Sequence, residues 1–251
     1  MGYADRQPTQ TYLDNYYKSY YDELERKTVI RKDILANHLK NDLNIINNNE
    51  QFSFLDFGGG DASISCELAE KILGSNKKMK IKICVIDPNF ETPPNINSNI
   101  NIYNLSSIAA IPINTKFDFV LASGILEHLK EHKEVLKKLL HLLKPSSRFY
   151  SRTPYIFPFM SLFYKIGINI DVHYPAHLYD MGSKFWNSVL NTLDIEGGFQ
   201  IIRSSPSLVG SSVKEQFFSW IIAYVFKFPS KFFRKHYHFV GGWEVLIKRK
   251  R

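Results

Sequence analysis

Cysteine is scarce in this chain, with only Cys66 and Cys84 among 251 residues. Two cysteines cannot build the disulfide framework of a small secreted domain, and we expect both to be reduced core residues. Long apolar runs are also missing, because no stretch reaches the roughly 18 residues that a membrane-spanning helix needs. The polar amino-terminal residues lack the basic–apolar–small pattern of a secretory signal. We therefore expect a cytoplasmic protein without a transmembrane segment.

Acidic residues are nearly absent from the carboxyl-terminal stretch, where eight basic residues between positions 227 and 251 accompany a single acid, Glu244. This stretch carries most of the formal net charge of +8. A solvated tail explains it most simply, but a basic rim also attracts an anionic small-molecule substrate or an anionic membrane surface. Peripheral membrane contact therefore stays open, as does the choice between monomer and homodimer. No nucleic-acid partner is expected, because no binding-module signature accompanies the charge.

Apolar segments alternate with helical patterns from residue 52 onward. The predicted strands cover residues 52–57, 79–86, 99–103, 117–122, 148–151, 199–202 and 238–248. Helices are predicted over residues 62–73, over residues 132–144 before Pro145, and from a cap at Asp180 or Ser183 to about Leu193. Strands separated by helices form parallel sheets with right-handed crossovers. We predict an α/β fold with a Rossmann-like, mostly parallel seven-stranded sheet and helices on both faces.

The domain organisation follows from where this alternation starts and is interrupted. Residues 1–50 are predicted to form an N-terminal helical cap, and residues 51–251 the main domain. Apolar segments at about 155–180 and 210–236 are predicted insertions. The first, too irregular for a strand or a long helix, is expected to cover the sheet edge where α/β proteins bind ligands.

A glycine turn connects the first predicted strand to its helix. The strand ends in Asp56 and runs into three glycines at positions 58–60. Glycine supplies positive φ angles and allows backbone N–H groups to approach a ligand closely. Dinucleotides and S-adenosylmethionine (SAM) are both bound by such turns. The dinucleotide fingerprint Gly-x-Gly-x-x-Gly requires glycine at position 63, where this chain has Ser63.

Further motifs follow in order. Asp87 ends the second strand, where an acid can accept hydrogen bonds from both ribose hydroxyls of an adenosine. The fourth strand reads Phe-Asp-Phe-Val-Leu-Ala-Ser-Gly-Ile-Leu-Glu-His-Leu over residues 117–129, and Leu143-Lys-Pro precedes the fifth. As an ordered set over about residues 50–152, these motifs resemble those of class I SAM-dependent methyltransferases of the small-molecule type. The resemblance implies SAM as cofactor and S-adenosylhomocysteine as product.

The resemblance also implies which residues contact the cofactor. The glycine turn would line its methionine end, Asp87 its ribose, and the residues around position 122 its sulfonium. Family members often carry an acid after the third strand for the adenine amino group, and this chain has Ser107 and Ile108 there. The expected cofactor-binding residues are Asp56, Gly58, Gly59, Gly60, Asp87, Pro88, Ser107, Ile108, Ala122, Ser123, Tyr12 and Tyr16. The two tyrosines lie in aromatic stripes that either pack on the core or close over the cofactor as a lid.

Methyl transfer requires alignment of the acceptor with the sulfonium and, for some acceptors, removal of a proton. Candidate catalytic bases are His128, His173 and His177. His128 follows the fourth strand and is equally suited to a structural hydrogen bond. The spacing of His173 and His177 suggests metal ligands on a helix, but Pro175 interrupts that helix, so no metal is expected.

The combined interpretation is a SAM-dependent methyltransferase acting on a small polar acceptor, with an oxygen of a sugar, phosphoryl-type group or related metabolite preferred. Nitrogen and carbon acceptors stay open. The alternatives are an NAD(P)-binding oxidoreductase, a non-catalytic SAM-binding or partner-binding protein, and a membrane-surface methyltransferase acting on a lipid or quinone. The last would use residues 216–235, which also suit a core helix, a lid or a dimer face.

Overall fold

The structure is a computed structural model, and it describes only part of the chain. The described residues are 2–3, 8–9, 11–13, 32–43, 50–88, 90–93, 96–168, 177–193, 195, 198–207, 225, 228–229, 232 and 241–251. The predictions for Tyr16, for His173 and for nearly all of residues 210–236 lie outside this set. Within it, no helix combines the length and apolarity needed to cross a bilayer.

A seven-stranded sheet forms the centre of the fold. Its strands are β1 (Gln51–Phe57), β2 (Lys80–Ile86), β3 (Ile100–Asn104), β4 (Phe117–Ser123), β5 (Leu143–Tyr155), β6 (Phe199–Pro206) and β7 (Gly241–Arg249). The spatial order is β3-β2-β1-β4-β5-β7-β6. The first five strands pair in parallel, whereas β7 runs antiparallel between β5 and β6. The predicted mostly parallel sheet is confirmed.

Helices cover both faces of this sheet. They are α1 (Lys32–Leu43), α2 (Ser63–Leu73), α3 (His132–His141), α4 (Phe157–Lys165) and α5 (Ser183–Thr192). Strands β1, β2 and β4 are largely apolar, because their successive residues point to opposite faces of the sheet and helices cover both faces. Phe119 and Leu121 pack with α1 and α2, while Val120 and Ala122 pack with α3 and α5. Two apolar clusters, one per face, therefore form the core.

Two predicted boundaries around Pro145 are wrong. Helix α3 ends at His141, and β5 begins at Leu143 and continues to Tyr155. Leucines 142 and 143 extend the helical pattern in the sequence, but Leu143 pairs with Phe117 in the sheet. Tertiary pairing thus overrides the local helical preference, and Pro145 lies in the strand after the helix has ended.

The segment predicted to be irregular after residue 155 contains α4, a nine-residue helix. Pro158 lies in its first turn, where a missing backbone N–H costs no intrahelical hydrogen bond. The predicted cap of α5 is also wrong, because Gly182 occupies that position. The Asp180 carboxylate instead accepts hydrogen bonds from the backbone N–H groups of Ile156 and Phe157 at the start of α4.

A partly buried ionic network joins α1 to the antiparallel part of the sheet. Arg203 donates to both carboxylate oxygens of Asp42 at 2.5 Å, and its Nε lies 3.0 Å from Glu244 Oε1. Glu244 is only 1% exposed and also accepts a 3.0 Å hydrogen bond from the Tyr150 hydroxyl. His38 Nε2 lies 3.1 Å from Glu244, whose hydrogen bond raises the pKa of that histidine. The network compensates the buried Glu244 charge.

Removing the cation should therefore destabilise the fold. We expect Arg203→Met to lower the free energy of unfolding by about 3 kcal/mol, because Glu244 loses its guanidinium partner in a buried position. Lys71→Met is the matched control, since it breaks the helical Lys71–Glu67 pair of 3.1 Å on the surface of α2. The control should cost less than about 1 kcal/mol. Urea denaturation measures both, and equal losses would contradict a stabilising role for the network.

Candidate functional site

The turn between β1 and α2 has the backbone geometry that its glycines predict. Gly58 and Gly60 adopt φ angles of +73° and +53°, and Ala62 follows at +55°. A Cβ on Gly58 would lie 2.6 Å from Ile125 Cγ1, so only glycine fits without displacing that side chain. The Gly58 N–H donates to the Ile86 carbonyl at 2.9 Å. This turn therefore packs between the ends of β2 and β4.

Asp56 lies beneath the same turn rather than at its surface. Its side chain is buried, at 3% exposure, and accepts a hydrogen bond from the Ser65 hydroxyl of α2. A Cβ on Gly59 would lie 2.5 Å from the carboxyl group, so the absence of a side chain there makes room for it. Burial raises the pKa of Asp56 to about 7, against the effect of the Ser65 hydrogen bond. Its contact with the methionine end of SAM stays a prediction.

Asp87 joins the end of β2 to the glycine turn. The Gly60 N–H donates to Asp87 Oδ2 at 2.9 Å, which places the half-buried carboxylate directly beside the turn. Pro88 follows on the surface. Because parallel strands end at one sheet edge, Asp87 and the turn face the same crevice. The position is compatible with the predicted ribose contact.

Four more predicted positions lie at this edge. Ser107 is exposed and extended before a short 3-10 turn, Ile108–Ala110, in which Ile108 packs against the core. At the end of β4, Ala122 is fully buried. The Ser123 hydroxyl is buried and has no hydrogen-bond partner among the described residues. A buried polar group in that state is one that a bound ligand can satisfy.

A cluster of Glu127, His128 and His177 follows β4. Glu127 and His128 belong to a 3-10 turn, and the Leu178 N–H donates to the Glu127 carbonyl at 2.9 Å, which brings His177 alongside. The two imidazole centroids lie 4.8 Å apart. One ligand-type atom from each of the three residues lies within 4.8 Å of the others. The predicted bases His128 and His177, separate in the sequence, therefore form one group.

Glu127 was absent from the predicted catalytic residues. It is 2% exposed, and its Oε2 has no hydrogen-bond partner in the part of the chain that the structure describes. Burial raises the pKa of Glu127 to about 8, while a backbone hydrogen bond and the charge of Arg152 oppose the shift. An acid four residues after the end of an apolar strand was the signal available in the sequence. Its burial could not be read from that signal.

Other predicted features are placed differently. Tyr12 is 52% exposed, whereas the adjacent Leu13 packs in the core. Tyr12 therefore does not pack on the core, and its role as a lid stays a prediction. The last basic residues lie far from the glycine turn, because β7 runs antiparallel. Lys248 pairs with Arg148, and Arg249 donates to the Leu143 carbonyl at the amino edge of the sheet. These described cations therefore cannot form a basic rim at the carboxyl edge.

The sheet order, the antiparallel β7 and a glycine turn with an acid at the adjacent strand define the fold class of SAM-dependent methyltransferases. A family model described as a methyltransferase domain matches residues 21–171, more than half of the chain, and the chain belongs to this family. It is thus a SAM-dependent methyltransferase of class I, as the sequence motifs predicted. Family membership decides for SAM over NAD(P) as the cofactor.

Solved structures with the same fold agree with this assignment. The 1,6-didemethyltoxoflavin-N1-methyltransferase of Burkholderia thailandensis is 12% identical and has a TM-score of 0.55, over 100% of this chain and 95% of that chain. The magnesium protoporphyrin IX methyltransferase of Synechocystis is 16% identical with a TM-score of 0.52, over 96% and 95%. Both were crystallised with S-adenosylhomocysteine. At such low identity, the likeness shows the fold alone.

Sequence relatives come from Dictyostelium discoideum. "Probable polyketide synthase 7" is 25% identical over 234 residues, which are 81% of this chain and 9% of that protein. "Probable polyketide synthase 6" is 30% identical over 156 residues, or 52% of this chain and 5% of that protein. The chain thus spans less than a tenth of the length of these relatives.

The glycine turn predicts unequal effects of two similar substitutions. Gly58→Ala should lower the free energy of unfolding by about 2 kcal/mol or more, because its Cβ collides with the base of the Ile125 side chain and its φ is strained. Gly60→Ala should cost about 1 kcal/mol, because it meets only the left-handed backbone penalty; nothing lies within 4 Å of its Cβ. Denaturation without ligand measures both, and equal costs would refute the Ile125 contact.

The position of Asp87 beside the glycine turn predicts that its replacement weakens cofactor binding. Asp87→Ala should weaken S-adenosylhomocysteine binding at least about tenfold, or about 1.4 kcal/mol, because the turn and the ribose both lose an acceptor. Asp61→Ala is the control. Asp61 lies exposed in the same turn, and its carboxylate accepts a hydrogen bond from the nearby Ser63 N–H. Calorimetric titration measures both variants, with NAD as a parallel ligand. Unchanged affinity in Asp87→Ala would remove the ribose role.

Proposed function

We propose that this methyltransferase methylates an oxygen of a small polar acceptor, such as a hydroxyl of a sugar, a phosphoryl-type group or a related metabolite. The observation that carries the proposal is the cluster of Glu127, His128 and His177 beside the glycine turn. A hydroxyl that takes a methyl group must lose its proton, and imidazole is the side chain best suited to accept one near neutral pH. Two half-buried imidazoles at the carboxyl edge of the sheet fit that requirement.

The reaction balances without another reactant. The acceptor oxygen attacks the methyl carbon, the carbon–sulfur bond breaks, and its electron pair stays on the sulfur of S-adenosylhomocysteine. The hydroxyl proton passes to the cluster. His128 or His177 is the proposed base, and the buried Glu127 carboxyl lies close enough to stabilise the imidazolium that forms. Sulfonium is already a strong electrophile, so the remaining task of the protein is alignment.

Four of the eight basic residues in the carboxyl-terminal stretch do not support an anionic acceptor. Lys248, Arg249 and the two residues after them lie toward the amino edge of the sheet, away from the cofactor turn. The basic residues between 227 and 235 lie outside the described residues. The oxygen preference therefore rests on the histidine cluster, and a neutral polar acceptor fits it as well as an anionic one. Peripheral membrane contact through residues 216–235 stays a separate hypothesis.

A carbon acceptor is the second candidate, and the likeness to polyketide synthases over 81% of the chain favours it. A carbon between two carbonyl groups, as in a polyketide intermediate, also loses a proton before it takes a methyl group. The same cluster would accept that proton. The two candidates differ in the product, because one gains an ether-type methyl and the other a methyl on carbon.

Turnover measurements test the base role. We expect His128→Ala and His177→Ala to lower kcat at least about tenfold, because general-base catalysis contributes roughly a hundredfold or more. S-adenosylhomocysteine affinity should not change, since neither residue belongs to the glycine turn. His141→Ala, at the end of α3, is the matched control and should keep full activity.

The acceptor panel should include sugars, sugar phosphates and β-ketothioesters, with isotopically labelled SAM. NMR of the product assigns the methyl to oxygen or carbon and so separates the two candidates. Full kcat in both histidine variants would eliminate the base role. Cofactor binding with no turnover on any acceptor would instead favour a non-catalytic SAM-binding protein.

A further inference from the structure

We propose that Glu127, His128 and His177 form a binding site for one divalent first-row transition-metal ion. One ligand atom from each residue lies within 4.8 Å of the other two. Ligands of a single ion at about 2.1 Å lie about 3.0–4.2 Å apart, so a small inward rotation of the side chains completes the site. The three residues come from two segments, the 3-10 turn after β4 and the stretch before Tyr179.

The ligand chemistry selects the class of metal. Two imidazole nitrogens and one carboxylate oxygen suit zinc, cobalt, manganese or ferrous ions, whereas magnesium and calcium prefer oxygen ligands throughout. Glu127 is buried, and the two histidines are half-buried. The side of the cluster that faces solvent thus leaves coordination positions open for an acceptor or water, as in catalytic sites with three protein ligands.

The burial of Glu127 is an independent sign of a missing partner. Its Oε2 accepts no hydrogen bond among the described residues, although the side chain is 2% exposed. Burying a carboxylate with one oxygen unsatisfied is costly, and a metal ion would supply the missing interaction at Oε2. The backbone hydrogen bond from Leu178 to the Glu127 carbonyl holds the two segments together without occupying this oxygen.

This site differs from the one that the sequence spacing suggests. The spacing pairs His177 with His173 across Pro175, and on that basis no metal was expected. The structure instead pairs His177 with His128, whose imidazole lies 4.8 Å away, centroid to centroid. The partner is distant in the chain and close in the fold, so helical spacing cannot reveal it.

The role of the ion in transfer rests on the proposed function, whereas its binding does not. An ion bound to the acceptor hydroxyl would lower the pKa of that hydroxyl as a Lewis acid. With both imidazoles bound to the ion, neither can act as the base, so the proton would leave to solvent instead of to His128 or His177. The oxygen would attack the methyl carbon as the carbon–sulfur bond breaks. No redox change occurs at the metal in this step.

Metal titration of the full chain tests the inference. After chelator treatment, calorimetric titration with zinc chloride and with cobalt chloride alone should show one ion per chain at micromolar affinity or tighter. Bound cobalt should show the visible absorption bands that are typical of a cobalt ion with a low coordination number. Glu127→Gln and His177→Ala should each weaken binding at least about tenfold. His141→Ala should bind as the wild type does.

The outcomes separate this inference from the proposed function. No stoichiometric binding, or unchanged affinity in both variants, would overturn the metal site. His177→Ala replaces a half-buried side chain and keeps the test valid if Glu127→Gln fails to fold. S-adenosylhomocysteine titration of the metal-free protein checks the cofactor site independently. Methyl transfer at full rate without any bound ion would overturn the role of the metal and leave the methyltransferase function intact.

Discussion

The close approach of the Gly58 backbone to the Ile125 side chain is the contact on which the site depends. Strands β1 and β4 are parallel neighbours, and the chain continues from β1 to β2 on the other side. Their ends therefore border the crevice where open α/β sheets bind ligands. One turn presents the backbone amides near Asp87, and the other carries Glu127 and His128. Because Gly58 has no Cβ, the two turns can pack directly against each other.

The buried carboxylates among the described residues are of two kinds. Glu244 is surrounded by the guanidinium of Arg203, the Tyr150 hydroxyl and His38, and this compensation gives it a structural role. Asp56 and Glu127 lie at the carboxyl edge, and burial raises the pKa values of both, to about 7 and about 8, although the charge of Arg152 opposes the shift at Glu127. Perturbed groups of this kind concentrate at functional sites. The contrast distinguishes a carboxylate compensated within the fold from two that are candidates for a functional role.

Much of the architecture could be predicted from local pattern. The strands at residues 52–57 and 117–122 were recognisable because their residues are apolar on both faces, and the glycine turn because its backbone angles exclude most other residues. The end of α3 was not predictable in this way. Leu143 continues an apolar helical pattern, but its pairing with Phe117 places it in the sheet. The direction of β7, which removes Lys248 and Arg249 from the cofactor edge, is likewise a property of sheet topology.

Neighbours in the chain and ordered motifs were enough to predict the α/β class, the glycine turn after β1, the acid at the end of β2 and the SAM-dependent family. The tertiary fold alone brings His128 to His177, buries Glu127 beside them, and pairs Arg203 with Asp42, 161 positions away. Local periodicity specifies which face of an element is apolar. Contacts between distant side chains depend on crossover direction and strand register, which are set only when the whole sheet assembles.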